Sequence, residues 1–282
     1  MTGLPPLPER LPAPTTDAHT HALSTLEFSG LAVAEALAMA KAVNVTRIVE
    51  VGTDVESSLA AVAVAQQFPE VVAAVAIHPN DAAVLAERLP AELDKLAALI
   101  GTSDRVRGVG ETGLDYFRTP DAAGRARQRE AFAAHIAWAK QYDLALVIHD
   151  RDAHHDILDV LDAEGAPDRV QLHCFSGDAR FARACFDRGY WLSFPGTVTF
   201  TPNEPLREAL DLTPLDRLLV ETDAPYLTAV PNRGKPNSSY LMAHTVRFMA
   251  ERRGIDLAEL CRVLEANATA VFGEWGDGEA HG

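Results

Sequence analysis

The chain has 282 residues, is 48% hydrophobic, and carries 25 basic against 40 acidic residues, a formal net charge of −15. This length and apolar content allow a large buried core and suit one large domain or two ordinary ones. The acidic balance excludes attraction of a polyanion such as DNA by the whole molecule's field, so any nucleic-acid role requires local positive charge.

The cellular location is predicted from what the sequence lacks. No apolar run approaches the length of a membrane span, and the proline-rich start has no apolar signal-peptide core. Cys174, Cys185 and Cys261 form no C-x-x-C pair, which argues against a disulfide framework or a cysteine zinc site. We therefore expect a cytoplasmic protein without membrane contact, and we infer no obligate protein partner.

Short β-branched segments alternate with longer alanine-rich segments along the chain. The segments predicted as strands are 15–21, 46–51, 71–77, 106–110, 144–149, 169–173, 190–194 and 217–222. The segments predicted as helices are 31–43, 55–67, 81–100, 124–142, 153–164, 179–188, 204–211, 239–253 and 256–270. Apolar strands that alternate with helices pair in parallel and are covered on both faces.

Eight such units in roughly 250 residues predict an α/β fold of the (β/α)8 TIM-barrel type. A doubly wound open sheet is the alternative, but no Gly-rich phosphate loop follows the first strand. We expect an extended N-terminal segment over 1–14, a single TIM-barrel catalytic domain over 15–272 and a frayed tail over 273–282.

Reactive side chains recur at or just past the C-terminal ends of the predicted strands. They are His19, His21, His78, Glu111, His149, His173 and Asp223. Catalytic groups from different strands of a barrel converge at this face. Each histidine alone could be an ordinary hydrogen-bonded residue, because histidine is often half-buried. Strand periodicity, however, places Asp17, His19 and His21 on one face, where an unpaired charge inside a barrel is costly and a metal ion would remove that cost.

Segments in the same order resemble the TatD-type metal-dependent deoxyribonucleases, a branch of the amidohydrolase-like metallo-barrels. The matching stretches are DAHTH (17–21), VGTDVESS (51–58), AIHP (76–79), GETGLDY (110–116), VIHDR (147–151), HCFSG (173–177), ETDAPY (221–226) and NRGKPN (232–237). The resemblance implies a TIM barrel, two divalent metal ions and hydrolysis of phosphodiester bonds, typically from a 3′ end of DNA. Some members of the family are also credited with removing D-amino acids from tRNA.

The resemblance also implies a set of metal ligands and two catalytic residues. The ligands carried over are His19, His21 and Asp223 for one metal, His149 and His173 for the other, and Glu111 as the bridge between them. Glu111 and Asp223 would also be catalytic, and Asp17 would be a supporting carboxylate deep in the barrel. Imidazole and carboxylate ligands suit Zn²⁺, Mn²⁺ or Fe²⁺ better than Mg²⁺, but the pattern leaves the identity of the metal open.

The substrate contacts are predicted from charged and aromatic residues beside these motifs. The candidates are His78, Arg151, Arg233, Lys235 and Tyr226. A structural histidine, surface ion pairs and packing at the barrel rim are the alternative roles. The chain departs from the family pattern at 22–30, which lacks the usual Leu-Asp, and at Ser238-Ser239, where Glu-Pro is common. Both departures lie where substrate would be held.

Three functions remain open from the sequence. The first is a two-metal exonuclease that acts at the 3′ end of single-stranded DNA or on other nucleic-acid ends. The second is an amide or ester hydrolase with the same site, including removal of D-amino acids from tRNA, which we favour if Arg233 and Lys235 face away from the metals. The third is a metal-free binding scaffold, which the clustered ligands disfavour because without metal they would leave buried charge unpaired.

Overall fold

The structure is a computed structural model that describes residues 3–275. The strands are β1 (Thr15–Thr20), β2 (Val45–Val51), β3 (Val71–Val75), β4 (Val106–Asp115), β5 (Ala145–Arg151), β6 (Val170–Leu172), β7 (Trp191–Phe194) and β8 (Leu218–Val220). The helices are α1 (Ala22–Ser29), α2 (Val33–Ala42), α3 (Val55–Gln67), α4 (Pro79–Leu85), α5 (Leu89–Leu99), α6 (Ala122–Gln141), α7 (His154–Glu164), α8 (Ala179–Phe186), α9 (Glu204–Leu212), α10 (Met242–Arg253) and α11 (Leu257–Phe272).

The strands form one parallel sheet in the order β1 to β8. The end of β8 returns beside β1, where the Asp223 N–H donates to His19 O at 3.0 Å and the Thr222 N–H donates to Asp17 Oδ1 at 2.9 Å. The sheet is thus a nearly closed barrel with helices between successive strands. This arrangement confirms the predicted (β/α)8 TIM barrel.

Alternate strand residues bury their side chains on opposite faces of the sheet, as the strand period requires. Ile48 and Val71 belong to the large cluster that includes the helices. Val49 and Val72, one residue further along, belong to a smaller cluster on the other face, which is the barrel interior. All five residues of β3 are buried, which explains why this strand is uniformly apolar.

The largest differences from the predicted element bounds are in three places. The helix α1 follows β1 where no helix was predicted, and the predicted helix 81–100 is two helices separated near Ala86, whose φ is +50°. Strand β4 continues past Gly110 to Asp115, because Thr112 to Asp115 still pair with β5. Glu111 therefore lies within a strand, at the point where the register of β4 against β5 shifts.

The two ends of the described chain pack on the barrel. Before β1, the Leu11 N–H donates to Val43 O at 3.0 Å. After α11, Trp275 is buried and its Nε1–H donates to Glu70 O at 3.1 Å, so the start of the predicted frayed tail is packed. The remainder of that tail, 276–282, lies outside the described residues. The division of the chain into an N-terminal segment, one catalytic domain and a tail stays a prediction.

Across residues 3–275 no single helix is long and apolar enough to cross a membrane, although the bent pair α1 and α2, at 106°, reaches that length and composition together.

Candidate metal centre

A cavity of about 1130 Å³ opens at the C-terminal ends of the strands. The predicted site residues among its lining are His21, His78, Glu111, His149, Arg151, His173, Asp223 and Tyr226. His19 is fully buried directly beneath, with its Nε2 3.4 Å from His21 Nε2. Arg233 and Lys235 are not among the described lining residues, and the Arg233 guanidinium lies 4.3 Å from the centre of the Phe200 ring.

Glu111 faces two groups of histidines with different oxygens. Its Oε2 lies 3.6 Å from His19 Nε2 and 3.7 Å from His21 Nε2. Its Oε1 lies 2.7 Å from both His149 Nδ1 and His173 Nε2. Each oxygen thus faces its own pair of histidines, as a bridging carboxylate would, and the two 2.7 Å contacts are hydrogen bonds that a bound ion would replace.

Asp223 completes the first group. Its Oδ1 lies 3.5 Å from His21 Nε2 and 3.9 Å from His19 Nε2. Four ligands at about 2.0–2.2 Å from one tetrahedral ion lie about 3.3–3.6 Å from one another. The separations of His19 and His21 from each other, from Glu111 and from Asp223, 3.4–3.9 Å, are close to that spacing and fit a shared ion.

The outer nitrogens of three histidines are paired, and their inner nitrogens are turned toward Glu111. His21 Nδ1 lies 3.0 Å from Val51 O, an acceptor that requires a proton on Nδ1 and leaves the lone pair on Nε2. His173 Nδ1 faces Glu221 Oε1 at 3.2 Å, and His149 Nε2 faces Asp115 Oδ2 at 3.3 Å. Carboxylates and carbonyls behind metal-binding histidines orient the ring in this way.

The electrostatics keep Glu111 charged and His19 neutral, whereas they favour a proton on His21, His149 and His173. Burial raises the pKa of Glu111, but the histidines around it, His173 first, outweigh burial, and the pKa lies well below its ordinary value. Burial and the charge of His173, whose ring stacks at 3.7 Å, lower the pKa of His19. Anionic Glu111 and neutral His19 are the forms that bind a cation. Burial lowers the pKa of His21, His149 and His173, but the carboxylates beside them outweigh burial and raise it, so a metal ion would displace a proton from each.

His78 presents a different nitrogen pattern. Its Nδ1 accepts from the Asn80 N–H at 3.1 Å, which places the proton of the neutral ring on Nε2. That Nε2 lies 3.4 Å from Glu111 Oε1. The geometry makes His78 a hydrogen-bond donor toward the centre of the site.

Asp17 lies apart from the six predicted ligands. Its two oxygens accept from the backbone and the hydroxyl of Thr222, at 2.9 Å and 2.6 Å. Burial raises the pKa of Asp17 to about 7, although these hydrogen bonds lower it in part. Asp17 therefore ties β1 to the end of β8 and supports the ligands from behind.

Four functional candidates were missed from the sequence. Glu221 and Asp115 hold the outer nitrogens of His173 and His149, and both stand inside stretches that resemble the family. Glu50 is a buried carboxylate in the otherwise apolar end of β2, a signal that could have been used. Arg118 lines the cavity from the turn after β4, where nothing in its own residue pattern marks it.

Comparisons with known proteins agree with this fold and site. The family described as TatD related DNase matches residues 16–273. The Mycobacterium tuberculosis "Uncharacterized metal-dependent hydrolase TatD" is 45% identical over 260 residues, 91% of this chain and 97% of its own length. The Citrobacter rodentium "3'-5' ssDNA/RNA exonuclease TatD" is 33% identical over 249 residues, 85% and 91% of the two chains. The crystal structure of YJJV, a TatD homologue from Escherichia coli, superposes with a TM-score of 0.81 at 28% identity and covers 92% and 98% of the two chains.

A barrel with clustered histidines and carboxylates at its C-terminal face, and these relatives, define a metal-dependent hydrolase. The chain belongs to the TatD-related DNase family, as the resemblance of its motifs predicted.

Proposed function

We propose that the protein hydrolyses phosphodiester bonds from the 3′ end of single-stranded DNA with two divalent metal ions. The observation that carries the proposal is Glu111, which turns one oxygen to His19 and His21 and the other to His149 and His173. The name of the Citrobacter rodentium relative, 3'-5' ssDNA/RNA exonuclease TatD, supports the choice of substrate.

The predicted ligands divide between the two ions as follows. One ion would be held by His19, His21 and Asp223, the other by His149 and His173, with Glu111 common to both. The chemistry that a bound metal pair supplies is activation of water and neutralisation of charge on the phosphate oxygens. The histidine-rich ligand set suits Zn²⁺, Mn²⁺ or Fe²⁺ better than Mg²⁺.

The protein's own groups then orient the substrate and move a proton. The Nε2–H of His78 would donate to an oxygen of the scissile phosphate. Arg151, held 4.0 Å above the Phe117 ring, would pair with a neighbouring phosphate, as would Arg118. Asp223, whose carboxylate faces the cavity, would return a proton to the departing 3′ oxygen.

The test is cleavage of single-stranded DNA labelled at either end, by protein of known metal content. We expect the 3′ label to be released first as a mononucleotide while the 5′-labelled strand shortens step by step. Chelation should abolish both, and added metal should restore them. Internal cuts, or release of the 5′ label first, would contradict the proposal.

A second candidate keeps the site and changes the substrate to an amide or ester, including a D-aminoacyl-tRNA. One observation favours it: Arg233 and Lys235 do not line the described cavity, so fewer cations are available for a polynucleotide. Release of D-amino acid from charged tRNA, together with no cleavage of DNA or RNA strands, would select this candidate.

A further inference from the structure

Two half-exposed aromatic rings meet at the mouth of the cavity. The ring centres of Phe28, from α1, and Tyr226, from the segment after β8, lie 5.2 Å apart with the ring planes at 84°. Phe28 is 55% exposed and Tyr226 48%, so each ring keeps about half of its surface uncovered. Tyr226 is part of the cavity lining. We call this right-angled pair the Phe28–Tyr226 corner.

Tyr226 is fixed relative to the candidate metal centre. Its N–H donates to Asp223 O at 2.9 Å, in a turn where Asp223 has a φ of +51°. The Asn237 side chain donates to Tyr226 O at 2.5 Å and to Thr222 O at 3.0 Å. Tyr226 thus stands one tight turn from a predicted ligand, and its backbone is held on both sides.

Phe28 is fixed from the other side of the same site. The buried carboxylate of Glu50 accepts from the first two N–H groups of α1, those of Ala22 and Leu23, at 2.8 and 3.1 Å. The residue just before them, His21, donates its N–H to Ala224 O at 2.8 Å. Phe28 therefore lies on a segment that begins at His21, and Tyr226 lies on a segment that begins at Asp223. The hydrogen bond from His21 to Ala224 joins these two segments.

The charges of the cavity explain why an aromatic contact would matter. The described lining contains six carboxylates and two arginines, and the whole chain has a net charge of −15. Ion pairs alone give a nucleic-acid strand little hold here. A nucleobase is planar and uncharged, and it stacks on an aromatic ring without a cation.

Resting on the proposed function, we propose that the Phe28–Tyr226 corner binds the terminal nucleobase of the strand being degraded. The base lies flat on one ring with its edge against the other, while its phosphate reaches the centre. Stacking does not read hydrogen-bond patterns, so all bases are accepted, and the larger purines are held more tightly than pyrimidines.

The experiment compares two strands that differ only at the 3′-terminal nucleotide, one with adenine and one abasic. Base stacking measured by alanine substitution corresponds to roughly a 5- to 150-fold change. We expect Phe28→Ala to raise KM on the adenine strand by this factor, with kcat nearly constant, and to change KM on the abasic strand less than twofold. Tyr226→Leu should behave alike. Leu59→Ala, which removes an exposed side chain of α3, is the matched control and should change KM on neither strand.

The outcomes separate this inference from the proposed function. An equal loss on both strands, or a loss in kcat alone, overturns the corner while the exonuclease stands. If the parent protein cleaves neither strand, the proposed function is overturned, and so is the proposed binding of a nucleobase at the Phe28–Tyr226 corner.

Discussion

His135 is a buried histidine that supports the site without belonging to it. Its Nε2 accepts from the Ile77 N–H at 3.2 Å and its Nδ1 lies 2.8 Å from Thr112 Oγ1. These two partners stand next to His78 and Glu111. A ring that accepts at Nε2 is neutral, and burial lowers the pKa of His135 to about 3.

The neutral state of His135 makes stability depend on pH. Between about pH 6.5 and pH 3 the unfolded chain holds a proton on this residue that the folded chain does not, so the free energy of unfolding falls as pH falls. From pH 8 to pH 5 the loss is about 2 kcal/mol. We expect His135→Gln to remove this part of the dependence, measured by urea unfolding at both pH values. The exposed His155→Gln is the control, and a parent-like dependence in His135→Gln would refute the assignment.

Asp223 combines a ligand position with a carboxylate that faces the cavity. Asp223→Asn keeps the size of the side chain and removes its charge, so we expect the fold and the second metal to remain. Turnover should fall about 10²-fold or more, the usual scale of lost acid–base help. The exposed Asp159→Asn should be neutral. Unchanged turnover in Asp223→Asn would mean that it neither binds metal nor carries a proton.

At the scale of the elements, the barrel closes through a side chain. Asp17 on β1 accepts two hydrogen bonds from Thr222 after β8, and both residues are buried. Thr222→Val removes the hydroxyl donor and leaves a buried carboxylate oxygen short of a partner. We expect the free energy of unfolding to fall by about 1–3 kcal/mol, while Thr222→Ser, which keeps the hydroxyl, stays near the parent. Equal stability of the valine and parent proteins would show that this contact does not hold the closure.

Periodicity predicted the strands and their order, because apolar runs alternating with helices permit few topologies. It did not predict α1, whose buried residues are only Ala22 and Thr25, so no apolar stripe marks it. Glu50 holds that helix from a distant strand instead. Gly110 was taken as the end of β4, but β4 resumes its pairing with β5 at Thr112 after a register shift.

The positions of strand ends and the resemblance of the motifs predicted which residues meet at the site. The six predicted ligands lie together, yet their metal-binding roles stay predictions. The carboxylates Glu221 and Asp115 were missed because a sequence does not tell which acids stand behind a histidine. Arg233 and Lys235 were placed near substrate by their motif, whereas the fold leaves them outside the described cavity lining.

At the scale of the whole molecule, the net charge of −15 predicts weak salt dependence. With Arg118 and Arg151 as the phosphate contacts, log K against log salt should have a slope of about −1.4 on single-stranded DNA. Arg151→Ala should make this slope shallower by about 0.7, and Arg233→Ala should leave the slope unchanged. Binding in Ca²⁺ across a salt series measures this. A slope several units steeper would reveal an extended basic groove and refute the two-contact account.

The central claim is that Glu111 joins two metal ions, one on each oxygen. The most direct measurement is the metal content of folded Glu111→Gln protein beside the parent and the exposed control Glu251→Gln, with circular dichroism to confirm the fold. We predict about two equivalents in the parent and the control, and loss of the pair in Glu111→Gln, because one substitution removes a charged ligand from both ions. A folded Glu111→Gln protein that still holds two equivalents would contradict the account.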